Sequence, residues 1–338
     1  MGSSPSISCQ SPGFEQYTTP DDVVGLASFA DEILLFTESK KIEIRSNNDI
    51  LSTRTLSLKP TCACATESGT YIVGFENGFL SEFDSDLNLV MTFSKPGNVS
   101  AHRGDIVQVA SSAGCHLISI GGDKVVNLWN ANGGVIKSYS TTGKYTSICC
   151  SDACAWVSDT NLKMIVIDLK TKDVVKSFQV PSIITSMTLL SNGRGCIAAL
   201  DDRSVVLFSA HEVLANMSFH EGEPISMVCP LHCNSETGLV TYLAVDKSGV
   251  LSLRALEFML AEIGNALPFF AITNNEVVCI IDNKIVRLSK SQIEAQSLKN
   301  LPEMELPRTR IRNFLQQKDQ TLESNVVEME EEEEEFND

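Results

Sequence analysis

Two groups of residues in this 338-residue chain have the types and spacing for chemistry. The first is Cys229-Pro230-Leu231-His232-Cys233, which puts three metal-ligand side chains within five positions. Thiolate and imidazole suit zinc, but a structural zinc takes four ligands. No further Cys or His stands at the usual short spacing, so the segment reads as a loop between two strands. The second group is His102, Ser119, Asp123 and Trp129. An imidazole, a hydroxyl, a carboxylate and an indole N–H can satisfy one another in one hydrogen-bonded chain. Such a chain is tolerated in a core only when complete, so His102 and Asp123 are expected to be structural rather than catalytic.

Those four residues stand in AHRGDIVQVASSAGCHLISIGGDKVVNLWNANGGVIKSY, residues 101–139. The stretch resembles one blade of the WD40-repeat family. Ala101-His102 takes the place of the family's Gly-His, and Ser119 lies in the second strand. Asp123 lies in the GGDK turn, and Trp129-Asn130 replaces the closing Trp-Asp. The resemblance implies that Trp, Ser, His and Asp are buried together. It also implies neighbouring blades, because one blade of four short strands cannot bury its own faces.

The neighbours are found by aligning to Trp129. TKDVVKSF at 171–178 lies over NGGVIKSY at 132–139, which puts Asp168 on the Trp position. The same alignment gives Arg45, Phe83, Trp129, Asp168, Phe208, Arg254 and Ser289. Their mean spacing is about 41 residues, within the ~40–45 of this repeat class. Most follow an apolar strand signature such as IEI (42–44), IVI (165–167), VVL (205–207) or LSL (251–253). Asn77-Gly78, Asn192-Gly193 and Ser248-Gly249 mark turns. Arg45, Asp168 and Arg254 depart from the aromatic consensus, either as surface polar residues or through a slipped register. The repeat beginning His220-Glu221-Gly222 has Ala244 and Ser248 where Ser and Asp would sit. The expected fold is all-β: a single, divergent seven-bladed WD40-like propeller with a short N-terminal arm and an acidic C-terminal tail. Six blades plus an irregular segment is the alternative. Residues 1–13 are the flexible arm, 14–300 the propeller, and 301–338 an extension with a short helix and a disordered acidic tail. FEQYTT at 14–19 is the candidate for closing the ring, with QIEAQSL at 292–298 as the alternative.

Net charge is −17, much of it supplied by Glu330, Glu331, Glu332, Glu333, Glu334 and Glu335 and the acids around them. Like-charge blocks stay solvated and often serve as interaction tails. The run is either a solubility tail or a device that screens or recruits a basic protein. Direct nucleic-acid binding is not expected of an acidic surface, because phosphate contacts dominate that affinity. Eleven cysteines occur without an apolar leader in MGSSPSISCQSPG, so a reducing intracellular location, cytoplasm and/or nucleus, is expected. The acylation pattern at Gly2, Ser6 and Cys9 and the glycosylation triplets at Asn98 and Asn216 read as chance matches. No apolar run approaches the ~18 residues of a membrane span. Phosphate-binding loops, a nucleophile elbow and His-Glu-x-x-His are absent from the sequence.

Beyond the repeats, Arg308, Arg310 and Arg312 alternate, and Ile311, Phe314 and Leu315 fit one helical stripe. That segment either packs back on the propeller or orders on a partner. Arg308, Arg310, Arg312, Phe314 and Glu330–Glu335 are the candidate partner-binding residues. What the family resemblance implies is a non-catalytic scaffold or adaptor subunit of an intracellular multiprotein complex, with no catalytic residue, cofactor or metal. One alternative is a chaperone or recruiter of a basic protein such as a ribosomal protein, a histone or an RNA-binding factor. The other is an enzyme whose central channel would be lined by titratable groups.

Overall fold

In the computed structural model, described residues run from 14 to 316, except 21, 47–48, 113–116, 220–221, 257, 273–275, 283, 292 and 294–308. For residues 14–18 only the backbone is described. Five antiparallel four-stranded sheets follow one another along the chain. The first joins β2 (Val23–Phe29), β3 (Glu32–Thr37), β4 (Lys41–Ser46) and β5 (Asp49–Thr55). The second joins β6 (Pro60–Ala65), β7 (Tyr71–Phe75), β8 (Leu80–Phe83) and β9 (Leu89–Thr92). The third joins β10 (Ile106–Ser111), β11 (Leu117–Gly121), β12 (Val125–Trp129) and β13 (Val135–Ser140). The fourth joins β14 (Tyr145–Cys150), β15 (Cys154–Asp159), β16 (Lys163–Asp168) and β17 (Val174–Gln179). The fifth joins β18 (Ile184–Leu189), β19 (Gly195–Leu200), β20 (Ser204–Ser209) and β21 (Val213–Ser218).

The last sheet has seven strands. They are β22 (Ile225–Asn234), β23 (Leu239–Asp246), β24 (Val250–Ala255), β25 (Phe258–Ile272), β26 (Glu276–Ile281), β27 (Lys284–Ser289) and, at its edge, β1 (Phe14–Thr18). The molecule is thus a β-propeller of six blades, and the expectation of seven is corrected. The cause is β25, a strand of 15 residues. It pairs with β24 through Phe258–Asn265 and with β26 through Ala266–Ile272. Where other blades are separated by a turn, this extended chain joins what the sequence spacing had divided. Pro268 falls in the register gap between Ala266 and Phe270, where its missing N–H breaks no ladder bond.

All seven alignment positions lie in the last two residues of a strand: Arg45, Phe83, Trp129, Asp168, Phe208, Arg254 and Ser289, in β4, β8, β12, β16, β20, β24 and β27. Arg45 and Asp168 are buried, so they are neither surface residues nor signs of a slipped register. Arg45 bonds Glu43 Oε2 through Nε (3.0 Å) and Nη2 (2.7 Å). Asp168 accepts the N–H groups of Lys170 (2.7 Å) and Thr171 (2.8 Å) and so caps its turn. Arg254 stacks 4.4 Å from the Phe219 ring centroid and donates to Ser252 Oγ. Cys229–Cys233 lies inside β22, not in a loop, and a bulge between Pro230 and His232 accommodates the proline.

Sheets pack face to face through apolar residues. Trp156, Met164, Val166 and Phe178 of the fourth meet Cys196, Ala198, Val206 and Phe208 of the fifth. Leu26, Ile33 and Leu35 of the first meet Val278, Ile280 and Ile285 of the last, which closes the ring. β1 pairs with β27 from Phe14↔Leu288 to Thr18↔Lys284, so residues 14–18 complete the last sheet. Polar side chains then staple inner strands across blades. Thr61 Oγ1 donates to Ile106 O (2.7 Å), Thr185 Oγ1 to Ile225 O (2.9 Å), and Ser28 Oγ to Ile272 O (3.0 Å). Gln108 makes the fullest bridge: its Nε2 donates to Ile148 O (3.0 Å), and its Oε1 accepts from Ile148 N–H (3.0 Å) and Ser147 Oγ (3.3 Å). Gln108→Ala is expected to cost about 1–3 kcal/mol, because it leaves inward-facing backbone groups unpaired. Urea unfolding should show a lower midpoint at an unchanged m-value.

Candidate functional site

The third sheet brings His102, Ser119, Asp123 and Trp129 together. Trp129 Nε1–H donates to Ser119 Oγ at 2.8 Å. Indole only donates, so the Ser119 hydroxyl turns its own proton to His102 Nε2, also 2.8 Å away. The imidazole proton then sits on Nδ1 and points at Asp123 Oδ1 at 2.8 Å. Asp123 Oδ2 also accepts the Arg103 N–H at 3.1 Å. Burial works to raise the Asp123 carboxyl, but the His102 and Arg103 bonds outweigh it and hold it below the ordinary carboxylate range. Asn127 Nδ2 lies 3.1 Å from both His102 Nε2 and Ala101 O, and Ser138 Oγ donates to Asn127 Oδ1 at 2.7 Å. The sequence had not marked Asn127, whose only signal was an amide in an apolar strand. A Cβ at Gly121 would come within 2.4 Å of His102 Nδ1, so the ring needs glycine there. Serine, histidine and aspartate in this order resemble a nucleophilic triad. Ser119, however, has no exposed surface for a substrate to reach.

The helix α1 (Thr309–Gln316) lies against the fifth and last sheets. Ile311 is buried in their shared core, and Phe314 and Leu315 pack beside it. Arg194 Nη2 donates to Phe314 O (3.0 Å) and Leu315 O (3.5 Å), carbonyls in the last described turn of the helix. Its guanidinium also sits 5.6 Å from the Phe314 ring centroid. Arg310 Nη1 donates to Val213 O at 3.2 Å, and its Nε is 3.8 Å from Glu212. Among the candidate partner-binding residues, Arg310 and Phe314 therefore contact the propeller, and Arg312 is exposed. Arg308 and Glu330–Glu335 fall outside the described residues, as do His220, Glu221, the 1–13 arm and its Gly2, Ser6 and Cys9.

Beside α1 opens a groove of about 950 Å3. The loops β14–β15, β16–β17, β18–β19 and β20–β21 frame it, so all its loops lie on one face of the ring. Cys154, Trp156, Val175, Ala210 and Phe314 supply apolar lining, and Asp168, Arg194, His211, Glu212 and Arg310 supply charged or polar groups. Trp156, one of two tryptophans, is almost wholly buried in the groove's wall, its Nε1 3.4 Å from Ser209 O.

The ring axis holds a cavity of about 290 Å3, lined from every sheet by residues such as Leu26, Thr61, Gln108, Ser147, Met187 and Phe270. Its described lining contains no carboxylate, imidazole, ammonium or guanidinium. The one thiol there, Cys62, is pushed up to about 12 by burial. Cys229 is pushed up to about 12 for the same reason and packs in the apolar core. Among the described residues, no three His, Cys, Asp or Glu side chains converge on a metal position. No described helix is long and apolar enough to cross a membrane. No protein-family model and no curated protein matches this chain.

Two outcomes are expected. Asp123→Asn should destabilise the fold at neutral pH by about 1–3 kcal/mol. The depressed carboxyl contributes stability above its unfolded pKa and loses it as pH falls through the lower folded pKa, so the gap between wild type and variant should shrink below about pH 4. Thermal unfolding against pH reads this directly. Arg194→Ala should raise hydrogen exchange across 309–316 by several-fold while β18–β21 keep their protection. Equal protection of α1 in the variant would remove Arg194 from this role.

Proposed function

We propose that the chain is a WD40-like, non-catalytic scaffold or adaptor subunit of an intracellular multiprotein complex. Its partner inserts a short segment into the groove beside α1. The observation that carries the reading is the groove itself, an apolar cleft with a polar rim held on loops from two packed blades. Loops on a rigid scaffold are where recognition residues are usually placed, and mixed apolar and polar lining fits a protein segment. The axial cavity, with hydroxyl, amide and apolar lining, supports a non-catalytic role. The fold is common to many functions, so the assignment rests on this site.

The test is native affinity purification of full-length protein with quantification of what co-purifies, repeated with Val175→Glu and with Leu89→Glu. Both side chains are exposed, Val175 in the groove and Leu89 far from it on β9. A stoichiometric partner should be retained by Leu89→Glu and reduced at least tenfold by Val175→Glu. Equal recovery from both variants would refute the groove as the contact. Recruitment of a basic protein by Glu330–Glu335 is the second reading. It predicts release of the partner by moderate salt, because exposed charge attraction is screened.

A further inference from the structure

We propose that the groove beside α1 takes a short amphipathic helix of the partner, which lays an apolar side chain on Val175 and a lysine or arginine on Asp168. The proposal rests on the adaptor reading and names the chemistry of its partner. Outer strands carry the first argument. In β5, β9, β13, β17, β21 and β25, a register shift near the start of the strand leaves one residue out of the ladder. Those residues are Leu51, Val90, Ile136, Val175, Leu214 and Leu260, apolar in every case. A bulged residue has no direct partner in the ladder, so an apolar side chain there stabilises only what covers it. Leu51, Val90, Ile136 and Val175 are 51%, 55%, 40% and 44% exposed, whereas Leu214 is 5% and Leu260 2% exposed. For Leu214 the cover is visible. Ile311 of α1 is buried in the same core, and Arg310 bonds the neighbouring Val213 O at 3.2 Å. The chain thus shows what such a position accepts: a short helix that carries an apolar residue next to a cation. Val175 is the equivalent position one blade away, and it lines the groove together with Phe314 of α1. A helix on Val175 would therefore extend the α1 interface rather than start a new one.

Charge supplies the second argument, from a residue in the groove wall. Asp168 is 7% exposed and lines the groove. Its Oδ1 accepts the Lys170 and Thr171 N–H groups, while Oδ2 makes no hydrogen bond or ion pair to any described residue. A nearly buried carboxylate with one oxygen unmatched is costly to hold. The turn itself does not need the charge. Asn130 Oδ1 takes the Asn132 and Gly134 N–H groups, and Ser209 Oγ takes those of His211 and Glu212, so neutral side chains make the same cap in the third and fifth sheets. Cys154, opposite Asp168 in the ladder and also in the groove wall, is pushed up to about 11 by burial and by the Asp168 charge. The groove's own guanidinium groups are engaged elsewhere: Arg194 on the α1 carbonyls, and Arg310 on Val213 O beside Glu212. An ammonium or guanidinium from an incoming helix would give Asp168 Oδ2 a charge-assisted bond.

The test is a fluorescence-anisotropy titration of full-length protein into a labelled peptide of the α1 sequence, residues 309–316. A hydrocarbon staple between positions 312 and 316, both exposed in α1, holds the peptide helical. Wild type is compared with Asp168→Ser, Val175→Glu and Leu89→Glu. Serine keeps the cap, as Ser209 does, so Asp168→Ser should leave the Tm unchanged. Wild type should bind saturably. Asp168→Ser and Val175→Glu should each raise Kd about tenfold, as loss of one charge-assisted bond or one apolar anchor predicts, and Leu89→Glu should not. A peptide carrying Arg310→Glu should lose affinity for wild type to the same extent. No saturable binding up to about 1 mM would overturn the proposal. So would binding that Asp168→Ser leaves unchanged. In the partner-capture experiment, a partner lost with Val175→Glu but fully retained by Asp168→Ser would keep the adaptor reading and reject the cationic helix, so the two fail separately.

Discussion

Each blade presents apolar side chains on both faces, and only the neighbouring blades can cover them. That requirement, rather than any single hydrogen-bonded motif, organises the molecule. Phe178 against Phe208, with ring centroids 5.4 Å apart, shows it between two consecutive sheets. Apolar contact alone does not set the stagger of one blade on the next. Gln108, Thr61, Thr185 and Ser28 do so by bonding the backbone of the adjacent inner strand. Directional bonds near the axis thus position what non-directional burial brings together.

The same division explains what was legible in the sequence. Trp129, Ser119, His102 and Asp123 lie within one blade, so their spacing is local and their chemistry could be read directly. The strand-end anchors were legible because period-two apolar runs precede them, even at Arg45 and Asp168, where the residue type gives no help. Continuity of β25 was not, because a peptide that turns between blades and one that stays extended carry similar apolar patterns. Cys229–Cys233 was misread because Pro230 resembles a loop signal, whereas a bulge lets it stay in β22. The groove was the least legible: its walls run from Ser151 to Phe314, and no local pattern joins them.

Buried and half-buried polar groups fall into distinct uses. The His102 chain is internal to one blade, and Asp168 closes a turn. Arg194 holds a helix end, and its position on the β18–β19 loop ties α1 to the blade that also lines the groove. The helix is therefore part of the wall rather than an appendage. With Ile311 as the buried anchor of its eight described residues, it owes its stability to the propeller rather than to its own sequence.

Pairing of β1 with β27 has a temporal consequence. As the chain emerges from the ribosome, β2 to β21 can assemble into successive sheets while β1 waits for a strand some 270 residues later. Ser28 waits similarly for Ile272. Until those late residues are made, the first sheet has an uncovered apolar face and the growing arc has two open ends. Such non-local closure is slow, because loop entropy is lost before the contact forms. The nascent arc is thus the aggregation-exposed state of this protein, and the time it persists is set by translation as well as by folding.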